Sequence, residues 1–165
     1  MKKHLFFFSL LTLSFLAKSQ NIFEKGYFIN NEDRKFECLI RNTDWKNNPV
    51  KFRYKFSENE NSNVVGIDSI KEFGMDNGIR YVRATVNIDR APSRLENLSQ
   101  HKHADLKEET LFLKVLVDGK ASLDKYDEIK LRRFFYKIND SDIQQLIYKL
   151  YLLNQKDIGE NAQFR

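Results

Sequence analysis

Two histidines and an aspartate come closest to a chemical site in this 165-residue chain. His101, His103 and Asp105 alternate within one polar stretch, and imidazoles separated by one residue can share a metal ion. No further Cys or His lies nearby in the sequence to complete such a site, so a solvated loop is the simpler interpretation. We therefore predict no catalytic residue, no metal and no cofactor. An enzyme with an unrecognised site around the two histidines stays open as an alternative.

Positively charged side chains are the second group that could do chemistry. Lys51, Arg53 and Lys55 alternate with apolar residues, and Arg132 and Arg133 add a second basic pair. Such cations can dock phosphate-bearing groups, including those of lipopolysaccharide in an outer membrane. Ordinary exposed charge, or protection of a sheet edge against aggregation, is the simpler interpretation of the same pattern. The five residues are our candidate surface for a ligand or partner.

A phosphate-binding loop is missing from the sequence. In such a loop a glycine-rich turn ends in Gly-Lys-Ser or Gly-Lys-Thr, so that backbone N–H groups surround the phosphates. Of the six glycines only Gly119 precedes a lysine, and Ala121 then stands where the hydroxyl is needed. The sequence therefore argues against nucleotide hydrolysis.

The first nineteen residues have the three parts of a secretory signal peptide. Lys2 and Lys3 give a positive start, Leu5 to Leu16 form an apolar run, and Ala17 and Ser19 place small residues at the cleavage site. The run of 12 residues is shorter than the roughly 20 that a membrane-spanning helix needs. We expect residues 1–19 to be removed and the protein to lie in the periplasm or at the periplasmic face of the outer membrane, without spanning it. A permanent anchor is the competing interpretation.

Charge and cysteine content exclude further classes. Removal of Lys2, Lys3 and Lys18 lowers the 28 Lys and Arg to 25, against 23 Asp and Glu. A net charge of +2 gives no general case for nucleic-acid binding. The single cysteine, Cys38, shares the face of Phe36 and Ile40 in an alternating run, so we predict that it is buried and inert.

Residues 20–140 have the pattern of a β-rich domain. Alternation of Val50, Phe52, Tyr54 and Phe56 with three cations predicts a strand. The pairs Asn77-Gly78 and Asp118-Gly119 stand between apolar runs, as in tight hairpins. The fold class expected is α+β, mainly β, with an antiparallel sheet or partly open barrel of about seven to nine strands and one C-terminal helix.

Residues 141–165 are predicted to hold that amphipathic helix and a truncated tail. Ser141 and Gln144 have the spacing of a capping box, in which two side chains satisfy free backbone N–H groups at a helix start. Apolar residues then recur at helical spacing. They are Ile143, Leu146, Ile147, Leu150 and Tyr151. The end at Arg165, with Phe164 beside it, leads us to expect a chain that continued further.

Four segments of the chain resemble an uncharacterised exported family of Bacteroidetes bacteria. They are residues 24–29 (EKGYFI), 44–49 (DWKNNP), 83–90 (RATVNIDR) and 112–121 (FLKVLVDGKA). Longer members look like this domain followed by an outer-membrane β-barrel. Members are often labelled tRNA modification GTPases, which would imply GTP and tRNA as substrates. Because this chain has an export signal and no phosphate loop, we expect that label not to describe it.

The function expected from these features is a non-enzymatic periplasmic module for binding or scaffolding, associated with the outer membrane. Its partners would be an outer-membrane or envelope protein, or the phosphates of lipopolysaccharide, and no nucleic acid. A GTPase-like tRNA modification protein is the alternative that the family label implies.

Overall fold

Ten antiparallel strands form one open sheet in the computed structural model, which describes residues 23–92 and 95–152. The strands are β1 (Phe23–Asn30), β2 (Lys35–Arg41), β3 (Lys51–Lys55), β4 (Asn63–Gly66), β5 (Ile70–Met75), β6 (Arg80–Asp89), β7 (Leu106–Val117), β8 (Ala121–Glu128), β9 (Leu131–Ile138) and β10 (Gln144–Gln145). Their order across the sheet is β10-β9-β8-β7-β6-β5-β1-β2-β3-β4. Short 3-10 turns occur at Ile67–Ser69 and Leu95–Asn97.

The hairpin turns form where Asn, Asp and Gly predict them. Asn30 Oδ1 accepts hydrogen bonds from the backbone N of Glu32 and of Arg34, both at 3.0 Å, and so closes the β1–β2 turn. Gly78 has a φ of 89° between β5 and β6, a conformation that costs glycine little. These local contacts set the register of the strands on either side.

The β1–β5 half of the sheet is strongly curled. The ring centroids of Phe52 on β3 and Phe73 on β5 are 4.3 Å apart. Three strand spacings separate β3 from β5, which is about 14 Å in a flat sheet. The two rings can therefore meet only because the strands bend around a shared aromatic interior.

Asn48 connects this curl to the other half of the sheet. It lies between β2 and β3, and its Nδ2 donates to the carbonyl oxygens of Phe112 at 2.6 Å and Lys125 at 2.9 Å. Its backbone N donates to Asp127 O at 2.7 Å, and its Oδ1 accepts from Asp127 N at 3.0 Å. One side chain thus joins the β2–β3 connection to β7 and β8.

Two hydrophobic clusters lie on opposite faces of the sheet. Phe112 belongs to the first and its neighbours Leu111 and Leu113 belong to the second, and successive residues of a strand point to opposite faces. The buried members of the first are Phe28, Cys38, Ile40, Phe52, Ile70, Phe73, Met75, Tyr81 and Phe112. Those of the second are Val86, Ile88, Leu111, Leu113, Tyr126 and Phe135. Cys38 is buried as predicted, and burial raises the pKa of its thiol to about 11.

The predicted class, a mainly β antiparallel sheet, is confirmed, with ten strands instead of seven to nine. The helix predicted from Ser141 is not confirmed, because no helix forms among the described residues up to Leu152. Gln144–Gln145 instead pairs with β9 as strand β10. The Gln145 side chain is buried and accepts a hydrogen bond from the backbone N of Asp89 at 2.8 Å. This tertiary contact overrides the helical periodicity.

The predicted signal peptide, residues 1–19, and the end of the chain, residues 153–165, lie outside the described residues. Within the described part, no helix has the length and apolar character needed to cross a membrane.

Candidate functional site

Two of the predicted cations, Lys51 and Arg53, lie at one cavity near the edge of the sheet. The cavity has a volume of about 230 Å³. Its lining consists of Arg41, Thr43, Trp45, Lys51, Phe52, Arg53 and Val64. We call it the basic cavity.

Strand register and one connection build the basic cavity. Arg53 on β3 pairs with Val64 on β4, and directly opposed residues of antiparallel strands share a face. Thr43 and Trp45 come from the β2–β3 connection that Asn48 fixes. The Trp45 ring is held edge-to-face against Phe73 and Tyr81, with centroids 5.6 and 5.8 Å away. These contacts position the connection over the core while part of the indole stays accessible.

The charged side chains that line the basic cavity are all cations. Arg41, Lys51 and Arg53 line it, and no Asp or Glu does. Lys51 and Arg53 are exposed, and neither forms an ion pair with the part of the chain that the structure describes. Within the described part of the chain, the hydrogen-bond partner of Arg53 is the Ser62 hydroxyl, at 3.5 Å. Other cations do form ion pairs, as at Arg34, Lys35, Lys71, Arg80, Lys125 and Arg132.

Lys55, the third cation of the predicted stripe, is not available at this surface. It is 8% exposed, and its Nζ lies 2.7 Å from Glu58 Oε2 and 2.9 Å from the Glu58 carbonyl oxygen. The same Nζ lies 4.7 Å from the centroid of the Phe23 ring. A buried ammonium requires such partners, so Lys55 stabilises the fold instead of meeting a ligand.

The two arginines of the Arg132–Arg133 pair differ in exposure. Arg132 is exposed, and its Nε donates to Asp127 Oδ1 at 2.7 Å. Arg133 is 6% exposed and donates to the carbonyl oxygens of Asp89 and Ala91. Burial lowers the pKa of the Arg133 guanidinium. The sequence therefore located two members of the basic cavity, Lys51 and Arg53.

His101, His103 and Asp105 line a second cavity, of about 610 Å³, which we call the histidine cavity. Both histidines are exposed, and Lys149 Nζ donates to the carbonyl oxygen of His103 at 2.6 Å. Within residues 23–92 and 95–152, no group of three or more His, Cys, Asp or Glu is arranged to hold a metal ion. The structure thus brings the three residues to one cavity without forming a ligand set.

Arg90, which also lines the histidine cavity, is held by side chains of β7 and β8. Its guanidinium donates to both carboxylate oxygens of Glu109, at 2.9 and 2.6 Å, and also contacts Glu128 and the Tyr126 hydroxyl. The hydrogen bonds to Glu109 are the main reason that the pKa of Arg90 is raised. Arg90 therefore joins the end of β6 to β7 and β8. Because its guanidinium already binds these side chains, the basic cavity is the better candidate for a ligand.

The sequence reasoning missed Arg41, Thr43, Trp45 and Val64, which complete the basic cavity. Trp45 belongs to segment 44–49, one of the four that carry the family resemblance. This resemblance was the sequence feature that could have pointed to Trp45. In the structure this segment supplies the Trp45 ring contacts and the Asn48 hydrogen bonds. No protein-family model matches the chain, and neither a curated protein nor a solved structure is detectably similar to it.

Proposed function

We propose that this protein is a non-enzymatic binding module of the bacterial envelope that holds a phosphate-bearing group in the basic cavity. The location follows from the predicted signal peptide of residues 1–19. The observation that carries the binding function is the convergence of Arg41, Lys51 and Arg53 on a cavity with no acidic lining residue. A concave site that is lined by cations and by no acidic residue raises the local concentration of anions.

The chemistry of the lining suits phosphate. A guanidinium presents N–H donors in a fork that matches two oxygens of a phosphate, and an ammonium adds a point charge. The volume of about 230 Å³ is below the roughly 300–1,000 Å³ of most sites for complete small ligands. We therefore expect a single head group, such as one phosphorylated sugar, to enter.

Binding without catalysis is supported by the same set of residues. Thr43 supplies the hydroxyl of the lining, and no His, Cys, Asp or Glu in the lining could act as its base. An adjacent base of this kind is a common way to activate a hydroxyl nucleophile.

Tryptophan fluorescence offers a direct test, because Trp45 is the single tryptophan and lines the basic cavity. Titration of the processed protein with glucose 1-phosphate should change this emission in a saturable way. Each lost charge-assisted hydrogen bond costs about 1.5–3 kcal/mol. The double variant Lys51→Gln, Arg53→Gln should therefore bind at least tenfold more weakly.

A matched control separates the cavity from overall charge. The double variant Lys25→Gln, Lys120→Gln removes the same charge from two exposed positions outside the lining. It should retain the affinity of the wild type. Equal weakening of the two double variants, or no saturable signal from the wild type, would refute the proposed site.

A further inference from the structure

Two exposed valines flank the cations of the basic cavity. Val64 is 52% exposed and lies opposite Arg53 in the β3–β4 register. Val50 is 63% exposed and lies immediately before β3, outside the lining of the cavity. Both belong to the β3–β4 border of the sheet, where β4 is the last strand. An isolated exposed valine needs no explanation, but here two of them adjoin Lys51 and Arg53, which have no acidic partner among the described residues.

This combination matches the surface of an anionic membrane better than a soluble ligand. At a lipid surface, apolar side chains enter the boundary between head groups and acyl chains, while Lys and Arg contact the phosphates. Each Lys or Arg near such a surface strengthens binding by about fivefold. Charge complementarity therefore points to phosphate-bearing lipids, and the valines point to the apolar layer directly beneath them.

We infer that the β3–β4 edge docks this protein on a membrane surface rich in phosphate-bearing lipids, with Val50 and Val64 at the acyl boundary and Lys51 and Arg53 on the phosphates. The inference rests on the proposed function, since it names the source of the phosphate that the basic cavity holds. A free sugar phosphate would engage the cations alone, whereas a lipid surface engages the cations and both valines.

Vesicle co-sedimentation provides the first test. The processed protein, which lacks the apolar run Leu5–Leu16, should sediment with vesicles that contain phosphatidylglycerol and not with vesicles of phosphatidylcholine alone. Binding should weaken as salt is added, because salt screens the contribution of the cations. Failure to bind the anionic vesicles would overturn the inference. If glucose 1-phosphate still binds in that case, the proposed function survives; if it does not, both proposals fail.

The valines provide the second and more specific test. The double variant Val50→Thr, Val64→Thr keeps the β-branched shape at two exposed positions, so its thermal unfolding should match the wild type. We expect at least a fivefold loss of vesicle affinity with the affinity for glucose 1-phosphate unchanged. The variant Val117→Thr, at a 51% exposed position on β7, is the control and should bind vesicles normally.

Equal vesicle binding by the valine variant and the wild type would overturn the inference. Vesicle binding would then depend on the cations alone, and an acidic protein surface would fit this edge as well as a membrane does.

Discussion

At the scale of single residues, Asp124 is a buried carboxyl on β8. It is 4% exposed, and burial raises the pKa of its carboxyl to about 6, with Arg80 opposing the shift and Asp118 adding to it. A carboxyl with a raised pKa binds its proton more tightly in the folded chain than in the unfolded one. Its effect on stability is therefore most favourable below pH 4 and is lost as the pH rises through 6.

The variant Asp124→Asn should remove this pH dependence. At pH 7 the free energy of unfolding should rise by about 1–3 kcal/mol, since two pKa units correspond to at most about 3 kcal/mol. The difference from the wild type should shrink as the pH falls from 6 to 4. Urea denaturation at several pH values measures it, with the exposed Asp140→Asn as control. Parallel pH profiles for wild type and Asp124→Asn would contradict the assignment.

The candidate site shows which part of residue-level behaviour a sequence pattern can predict. Alternation along β3 correctly predicts that Phe52 is buried and that Lys51 and Arg53 are exposed. It cannot predict that Lys55 is buried, because this depends on Glu58 and on Phe23, a ring from another strand. The acceptors of Arg133 are backbone carbonyls distant in sequence, which no pattern of side chains reveals.

At the scale of elements, β1 and β5 approach closely at two glycines. A Cβ added at Gly26 would lie 2.3 Å from the carbonyl oxygen of Gly74 and 3.2 Å from Ile40 Cδ1. A Cβ added at Gly74 would lie 2.9 Å from the Tyr27 ring. The pairing of these strands thus depends on the missing side chains, and Gly26 and Tyr27 belong to the resemblance segment 24–29.

The variant Gly26→Ala should be strongly destabilising, because the neighbouring atom is backbone and cannot rotate away. We expect a loss of about 2–4 kcal/mol, at or above the usual cost of overpacking. Gly66→Ala is a suitable control, since its Cβ would meet nothing closer than 3.6 Å. Thermal or urea unfolding of both variants measures the difference. Equal losses of unfolding free energy would show that the close approach of β1 and β5 does not exclude a side chain at position 26.

The C-terminal element shows why periodicity alone misleads. Residues 141–152 have a helical apolar stripe, yet five large apolar side chains between Leu146 and Leu152 remain exposed. The segment is fixed instead by backbone and amide contacts, including Leu146 N to Phe134 O at 2.8 Å and Leu152 N to Ser99 O at 2.9 Å. The turns and hairpins were predictable because their signals are local.

At the scale of the whole molecule, β6 and β7 belong to both hydrophobic clusters. Tyr81 and Phe112 lie in the first cluster, and Val86, Leu111 and Leu113 lie in the second. Alternation along these strands implies two buried faces, but the sequence does not say which other strands cover each face. The curl of the sheet and the hydrogen bonds of Asn48 determine which strands cover each face.

Asn48 should therefore matter to the stability of the whole sheet. Asn48→Ala removes two donated hydrogen bonds and one accepted hydrogen bond, and so takes one partner from each of three part-buried backbone groups of β7 and β8. We expect a loss of about 2–4 kcal/mol in urea unfolding, together with faster amide exchange at Asp127. The neighbouring exposed Asn47→Ala should have little effect. Indistinguishable unfolding curves for the two variants would show that the connection is not held by this residue.

The burial of Arg133 affects how this border of the sheet can pair with strands of other molecules. Strand β10 pairs with only two residues of the eight-residue β9, so among the described residues most of the outer side of β9, away from β8, has no strand beside it. A charged group directed inward near such a border makes the addition of a foreign strand unfavourable, because that strand would disturb a guanidinium already bound to Asp89 and Ala91. We therefore expect the β9–β10 border to resist pairing with the sheet of a second copy at high protein concentration.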